Sequence, residues 1–350
     1  MKTFSVLGSA QGSARGSARG LFVALACGFC CAAGVAPGQS PQATVPAANP
    51  LAELATIPYQ PKAATEGAVR LAGSSTLQQA AAHWCQGFAR IHPGVKCSIE
   101  TGSSDAGLRA LADGKADVAL SSRPITDADR AAWEKRPDRR LVVVVAGFDH
   151  LVWIVHASNP ITELPWSPEA GILRVGSKAG EAVAQWGRLN GSDEWKDVPI
   201  RVHGRGLGSG TRWHMDRLLA GAASYHPQIT EHETEAALVE AVAADRGGLG
   251  LVGDEHAHWP GVKRLPLSVP ANASPLSDEV VGSDRTPDCR PLFLAVAVPK
   301  DGDMPATIRE FMAYVLSYPG QLDVAKDGLL PLTRAEIHAQ KELLGWAVQR

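Results

Sequence analysis

The chain has 350 residues, with 34 Lys and Arg against 36 Asp and Glu and a formal net charge of −2 at pH 7. Acids and bases are interspersed, so no basic stripe marks a nucleic-acid partner and no basic amphipathic helix marks a membrane surface. The length suffices for two modest domains sharing an interface.

Residues 1–19 carry Lys2, Arg15 and Arg19 and no acid, and Leu21 to Ala36 is apolar and small. A basic start before a short apolar core predicts a secretory signal over residues 1–36. Ala24-Leu25-Ala26-Cys27 faintly resembles a lipoprotein cleavage box, so a lipoprotein signal is the variant reading and a signal anchor the alternative. The apolar stretch is short for a membrane span. Residues 37–66 hold Pro37, Pro41, Pro46, Pro50, Pro58 and Pro61 among Ala, Gln and Thr, which predicts a disordered Pro/Ala-rich tether. The globular part is expected from Gly67. Beyond the export segment three cysteines remain, Cys85, Cys97 and Cys289. Cys85 and Cys97 flank a predicted helix end and turn, and both a disulfide between them and three unpaired thiols stay open. No C-x-x-C pair follows the export segment, which excludes a zinc site of that type.

Val69-Arg70-Leu71-Ala72 predicts a strand, and Leu77, Ala81, Trp84, Cys85 and Phe88 recur with helical spacing up to His92-Pro93-Gly94. Val95 to Glu100 predicts a second strand, followed by Thr101-Gly102-Ser103-Ser104 and a helix carrying Leu108 and Leu111. Asp117 to Leu120 is a third, meeting Ser121-Ser122-Arg123-Pro124 before a helix capped by Thr126. Three times a strand ends in a Ser/Thr-rich loop that starts a helix. In a parallel α/β sheet such loops share the carboxyl edge where ligands bind, although each also fits simple N-capping. Leu141–Ala146 and Leu151–His156 predict two buried strands. Ile200–His203 predicts a strand, Ala236–Ala244 a helix, Gly247–Val252 a strand, and Pro270, Pro275 and Pro287 a loop. Pro291–Val298 predicts a strand and Ile308–Leu316 a helix; a turn at Gly328–Leu332 precedes the last helix. The chain is expected to leave the first domain near residue 150 and return near 290.

Gly204-Arg205-Gly206-Leu207-Gly208-Ser209-Gly210-Thr211-Arg212 is a glycine-rich loop opening a helix. Backbone N–H groups at a helix start attract an oxyanion, with Ser209 and Thr211 hydroxyls and Arg205 as further donors. A tight turn with an ordinary cap is the plainer alternative. Gly210 stands where a nucleotide P-loop needs Lys, and the glycines fall at every second position rather than as G-x-G-x-x-G. No H-E-x-x-H, G-x-S-x-G or S-x-x-K motif occurs. His256 and His258, with Asp254 and Glu255 beside them, lack a third positioned metal ligand and read as surface histidines. No catalytic residue, metal or cofactor is expected.

Gly73–Leu77, Thr101–Ser104, Ala116–Pro124, Arg205–Thr211 and Gly328–Leu332, in that order, resemble the periplasmic phosphate-binding proteins of phosphate ABC transporters, within the type 2 periplasmic-binding-protein superfamily. The resemblance implies an α/β fold of two doubly wound lobes joined by a two-strand hinge, with lobe 1 at 67–150 plus 290–350 and lobe 2 at 151–289. It implies phosphate ligands at Thr76, Leu77, Ser103, Ser122, Arg205, Ser209, Gly210 and Thr211. It further implies a periplasmic monomer that captures inorganic phosphate in an interlobe cleft for an ABC transporter permease, with no nucleic-acid partner. Another tetrahedral oxyanion, or a secreted sensory or scaffold role, is the alternative; a phosphatase-like hydrolase is the third reading. Two positions depart from the family pattern. Ser122 stands where many members have an Asp that accepts the phosphate proton and repels sulfate, so weak discrimination against sulfate is expected unless Asp105 or Asp117 reaches the same place. Leu207 stands where an acid often steadies the Arg.

Overall fold

A computed structural model describes residues 50–62, 64–166, 172, 185–190, 193–220, 228–268 and 288–346. The predicted signal, the tether before residue 50 and the loop of Pro270, Pro275 and Pro287 lie outside the described residues. In chain order the elements are α1 (Pro50–Leu54), β1 (Gly67–Ser74), α2 (Gln78–Ile91), β2 (Val95–Gly102), α3 (Ser104–Ala112), β3 (Val118–Ser121), α4 (Asp127–Glu134) and β4 (Arg139–His156). Then come β5 (Leu164–Pro165), α5 (Gly187–Asn190), β6 (Arg201–Arg205), α6 (Gly210–Ala220), β7 (Ile229–His232), α7 (Glu235–Ala244), β8 (Gly248–Gly253), β9 (Val262–Leu265) and β10 (Leu267–Ser268). β11 (Cys289–Pro299), α8 (Ala306–Val315), α9 (Tyr318–Lys326) and α10 (Arg334–Leu343) complete the described chain.

The main sheet runs β2-β1-β3-β11-β4-β8-β6-β7, with β9 also on β4. Its two ends are parallel, β1 with β2 and β3, and β6 with β7 and β8; its centre is antiparallel, β3–β11–β4–β8. This is the mixed α/β two-lobe architecture, with one core under α2 and α8 (Trp84, Phe88, Leu294, Phe311) and another under α6 (Trp153, Trp186, Met215, Leu251). Fully burying each such side chain is worth about 1.5–3 kcal/mol.

The two apolar runs predicted as separate strands, Leu141–Ala146 and Leu151–His156, form one strand of 18 residues, β4. Its first part pairs with β11 as far as His150↔Cys289, and its second part pairs with β8 from Leu151↔Gly253. Gly147 does not break it: Leu292 and Phe293 of β11 pair with Gly147 and Val145, so Ala146 is an extra residue accommodated as a bulge in β4 itself. The chain returns at Asp288, whose carbonyl accepts from the Leu151 N–H at 2.8 Å. The lobes are therefore joined by neighbouring strands.

The expectation of a tether reaching residue 66 is corrected for residues 50–62. Leu54 and Ile57 are buried, and the Tyr59 ring sits edge-on to Tyr314 at 5.4 Å. The Tyr59 hydroxyl donates to Glu310 at 2.8 Å. Proline restricts φ without forbidding burial, and apolar residues spaced between the prolines supply enough surface to dock.

Loops after β1, β2 and β3 fall on one edge of the first lobe's strands, and the loop after β6, a strand antiparallel to them, meets them from the other lobe. Register places Ser74 opposite Gly102 and Gly73 opposite Leu120. Gly73 has φ +134°, and a Cβ there would lie 2.2 Å from the Leu120 carbonyl oxygen, so no other residue lets β1 and β3 end side by side.

Cys85 on α2 and Cys97 on β2 lie within hydrogen-bonding reach, and that contact, with burial, pushes the Cys85 thiol up. Mild oxidation of the folded protein is expected to join Cys85 to Cys97, read by peptide mass mapping. Absence of that linked peptide pair after oxidation would contradict the packing of α2 on β2.

Candidate functional site

Between the loop edges of the two lobes lies a cavity of about 750 Å³. Thr76 and Ser103 line it from one side, and Arg205, Ser209 and Glu235 from the other. Ser103 caps α3, its hydroxyl oxygen accepting from the Ala106 N–H at 3.2 Å. Capping uses an oxygen lone pair and leaves the O–H as a donor, so cap and ligand are compatible roles. Leu77 is buried, its side chain in the first core.

The glycine loop is a turn closed by the Ser209 N–H on the Gly206 carbonyl at 3.2 Å, with Gly208 at φ +84°. α6 starts at Gly210, so its first N–H groups face the lobe junction. A Cβ on Gly210 would lie 2.1 Å from the Ser122 Oγ, so only glycine lets the two lobes meet here. Arg205 donates from Nη2 to the Glu233 carbonyl at 2.7 Å and from Nε to the His232 carbonyl at 3.3 Å. Those carbonyls hold the guanidinium in place of an acid at 207; Leu207 itself is 77% exposed.

One central residue escapes the sequence reading. Arg290, at the start of β11, is 1% exposed. It donates to Asp149 on β4 at 2.9 Å and 2.6 Å, from Nη1 to the Thr211 hydroxyl at 2.8 Å, and from Nη2 to the Thr76 hydroxyl at 3.2 Å. Thr76 and Thr211 come from opposite lobes, and Arg290 joins them. Burial pushes the Asp149 carboxyl up to about 6, while the Arg290 charge pulls the other way. Arg205 has its pKa lowered, first by burial and also by the charge of Arg290, despite the opposing pull of Glu235. The sequence signal for Arg290 is a lone cation opening an apolar strand, and for Asp149 an acid inside one.

Ser122 is 1% exposed; its Oγ meets the Ser74 Oγ at 2.8 Å, and its N–H donates to the Ser104 Oγ at 3.1 Å. Neither acid considered as its substitute reaches it. Asp105 holds Arg123 at 2.6 Å, and Asp117 holds Arg70 at 2.7 Å.

The acid that does reach the predicted ligands is Glu235, at the start of α7. Its Oε1 accepts from the Thr211 hydroxyl at 3.0 Å, and its Oε2 from the Gly253 N–H at 3.0 Å. His256 Nδ1 lies 3.1 Å from Glu255 Oε1 and 3.3 Å from Glu235 Oε2. Among the described residues, Glu235, Glu255 and His256 are a group whose donor atoms lie close enough to hold a metal, all within 4.8 Å of one another. The contact with Glu255 raises the His256 pKa, with burial opposing it and the charges of Glu235, Glu255 and Asp149 adding to it. His258 turns away to Arg264 at 3.1 Å.

Two α/β lobes joined by neighbouring strands and meeting over a polar, glycine-edged cleft form the architecture of the periplasmic-binding-protein class. The family model described as a PBP superfamily domain matches residues 58–318, and the chain belongs to that superfamily. It is 28% identical over 278 residues to the phosphate-binding protein PstS of Pseudomonas aeruginosa, covering 78% of this chain and 86% of that one. Among solved structures, it resembles an ABC-type phosphate transport receptor from Vibrio cholerae (TM-score 0.55, 20% identity, covering 75% of this chain and 100% of the other). A further likeness is a putative phosphate ABC transporter substrate-binding protein with bound phosphate from Clostridium perfringens (TM-score 0.54, 20% identity, 76% and 100%). These structural likenesses establish the fold.

α6 also buries His214, 1% exposed, against Ser122 of the other lobe. Burial, then the charges of Arg290 and Arg217, hold its pKa well below the ordinary value. The folded state therefore favours neutral imidazole, and this contribution to stability is full above the unfolded pKa of about 6.5 and is lost as pH falls below it. Between about pH 7.5 and 5.5 the unaltered protein is expected to lose more unfolding free energy than His214→Gln, measured by denaturant titration. Parallel pH curves would contradict this.

Proposed function

We propose that the chain captures inorganic phosphate in the cleft and delivers it to an ABC transporter outside the cytoplasm. Residues 1–36 then act as the export signal, and lobes 67–150 plus 290–350 and 151–289 close on the anion as a monomer. No helix among the described residues is long and apolar enough to cross a membrane.

The observation that carries this reading is the convergence of hydroxyls from both lobes on one buried guanidinium, from which both accept. Thr76 and Thr211 both touch Arg290, and the first N–H groups of α6 lie beside Thr211. Arg205, in the cavity wall, is a second cation whose proton burial and Arg290 disfavour. A bound oxyanion offsets both charges in a site of low dielectric, and a bidentate guanidinium contact suits a tetrahedral anion. Helix N–H groups and Ser/Thr hydroxyls complete a donor set without a metal ligand. In this reading Thr76, the Leu77 N–H, Ser103, Arg205, Ser209, Gly210 and Thr211 hold the anion with Arg290, and Ser122 packs behind them. The names of the Pseudomonas aeruginosa relative and of the Vibrio cholerae and Clostridium perfringens neighbours point to the same ligand.

Isothermal titration with phosphate is expected to give a one-to-one isotherm, and absence of heat would overturn the proposal. Arg205→Ala should weaken binding by at least about 2 kcal/mol, because the anion then sits in the cleft with one cation fewer. Folding should change little, since the Arg205 hydrogen bonds above go to two carbonyls at the cleft wall. An unchanged affinity would remove Arg205 from the site.

A further inference from the structure

We propose that Glu235, Glu255 and His256 hold a small divalent transition cation, of the zinc class, in the second lobe's wall of the cleft. The proposal stands on these three side chains and does not rest on the phosphate reading.

Two elements build the site. Glu255 and His256 lie in the turn Asp254–His256 that follows β8, and the third ligand, Glu235, comes from the start of α7. Gly253, the last residue of β8, serves both carboxylates. Its N–H fixes Glu235 Oε2 at 3.0 Å. A Cβ on Gly253 would lie 2.6 Å from both Glu255 carboxylate oxygens, so a larger residue would push that carboxylate off its position. His256 Nδ1 stands 3.1 Å from Glu255 Oε1 and 3.3 Å from Glu235 Oε2. Atoms bound at about 2.0–2.1 Å to one cation lie about 3.0–3.4 Å apart, from octahedral to tetrahedral geometry. Two of the three ligand edges therefore already have the length a cation sets. The third joins the two carboxylates, within 4.8 Å, and rotation of the half-exposed Glu255 side chain closes it.

Two observations point to a cation rather than a plain ion pair. His256 Nδ1 is shut off from solvent yet makes no hydrogen bond, although two carboxylate oxygens stand near it. An N–H there is poorly aimed at either oxygen, whereas a cation among the three takes the nitrogen lone pair and both carboxylates. The cavity wall is also crowded with like charge: Arg205 stands against Glu231, Glu233, Glu235, Glu255 and Asp327. Burial, and then the Glu255 charge, raise the Asp327 carboxyl to about 6 against the pull of the Ala80 N–H. A divalent cation offsets the charges of Glu235 and Glu255 where carboxylates repel one another most. One imidazole with two carboxylates suits zinc and its first-row neighbours, while calcium takes oxygen ligands at longer distances, about 2.3–2.6 Å. Three protein ligands leave the remaining coordination positions toward the cavity, which all three residues line.

The test titrates Zn²⁺ into the whole protein, stripped of metal with a chelator, by calorimetry, with Ca²⁺ as the contrast. A one-to-one zinc isotherm is expected, and Ca²⁺ at about a hundredfold excess should not displace the zinc. Glu235→Gln and His256→Gln should each weaken zinc binding by at least about tenfold. His258→Gln, whose imidazole turns away to Arg264, should bind as the unaltered protein does. Thermal unfolding reports whether the variants fold. X-ray absorption at the zinc edge of the unaltered protein gives the ligand set without any variant, with one imidazole and oxygen neighbours at about 2.0–2.2 Å expected. Absence of saturable zinc binding overturns the site. So does binding that survives unchanged in both ligand variants, or a zinc edge showing thiolate or several imidazoles, because the metal then sits elsewhere on the chain. Ca²⁺ bound as tightly as Zn²⁺ overturns the assigned class of cation. All of these are read without phosphate, so the phosphate reading stands or falls separately.

Discussion

The ion pair between Arg290 and Asp149 governs the centre of this molecule. Both groups are almost wholly buried, and both sit where the chain passes between lobes, Asp149 on β4 and Arg290 on β11, facing each other in register. Taking a guanidinium and a carboxylate out of water is costly, and the cost is tolerable only when the remaining N–H groups are satisfied. Here the pair uses Nε and part of Nη2, and one further N–H each of Nη1 and Nη2 goes to a hydroxyl from each lobe. The group that makes the crossing strands compatible with burial thus also places a positive charge beside Thr76, which lines the cavity. The raised Asp149 pKa expresses the same balance: burial dominates, and the pair offsets it only in part.

Around that pair the loop edges of the two lobes do double duty. Ser103 caps a helix with its lone pair and keeps a donor for the cleft. Gly210 starts α6 and is small enough to meet Ser122, so the lobes touch where the helix N–H groups emerge. The same helix buries His214 against that contact. The contact between the lobes, the start of α6 and a buried imidazole thus lie in one short stretch.

Much of this was legible in the sequence, because it is local. Strand–loop–helix repeats, Ser and Thr at loop edges, and alternating glycines before α6 each follow from backbone geometry over a few residues. Two apolar runs in β4 looked like two strands because Gly147 falls between them; pairing with β11 continues through a bulge at Ala146 of β4. Prolines before residue 66 masked the docking of Leu54, Ile57 and Tyr59. Arg290 and Glu235 were missed for a different reason. Arg290 looks like the first residue of an apolar strand, and Glu235 like an ordinary first-turn acid. Their meaning lies in neighbours 79 and 24 positions away, Thr211 in both cases, which periodicity does not report.

The central claim is that one oxyanion is held at the floor of the cleft by donors from both lobes gathered around Arg290. The most direct measurement is a crystal structure of the protein with phosphate. The account predicts a single tetrahedral anion within hydrogen-bonding distance of Arg290, Thr76 and the start of α6. Phosphate found only elsewhere, or a cleft that closes in the crystal with Thr76 and Thr211 still joined by Arg290 and no anion between them, would contradict it.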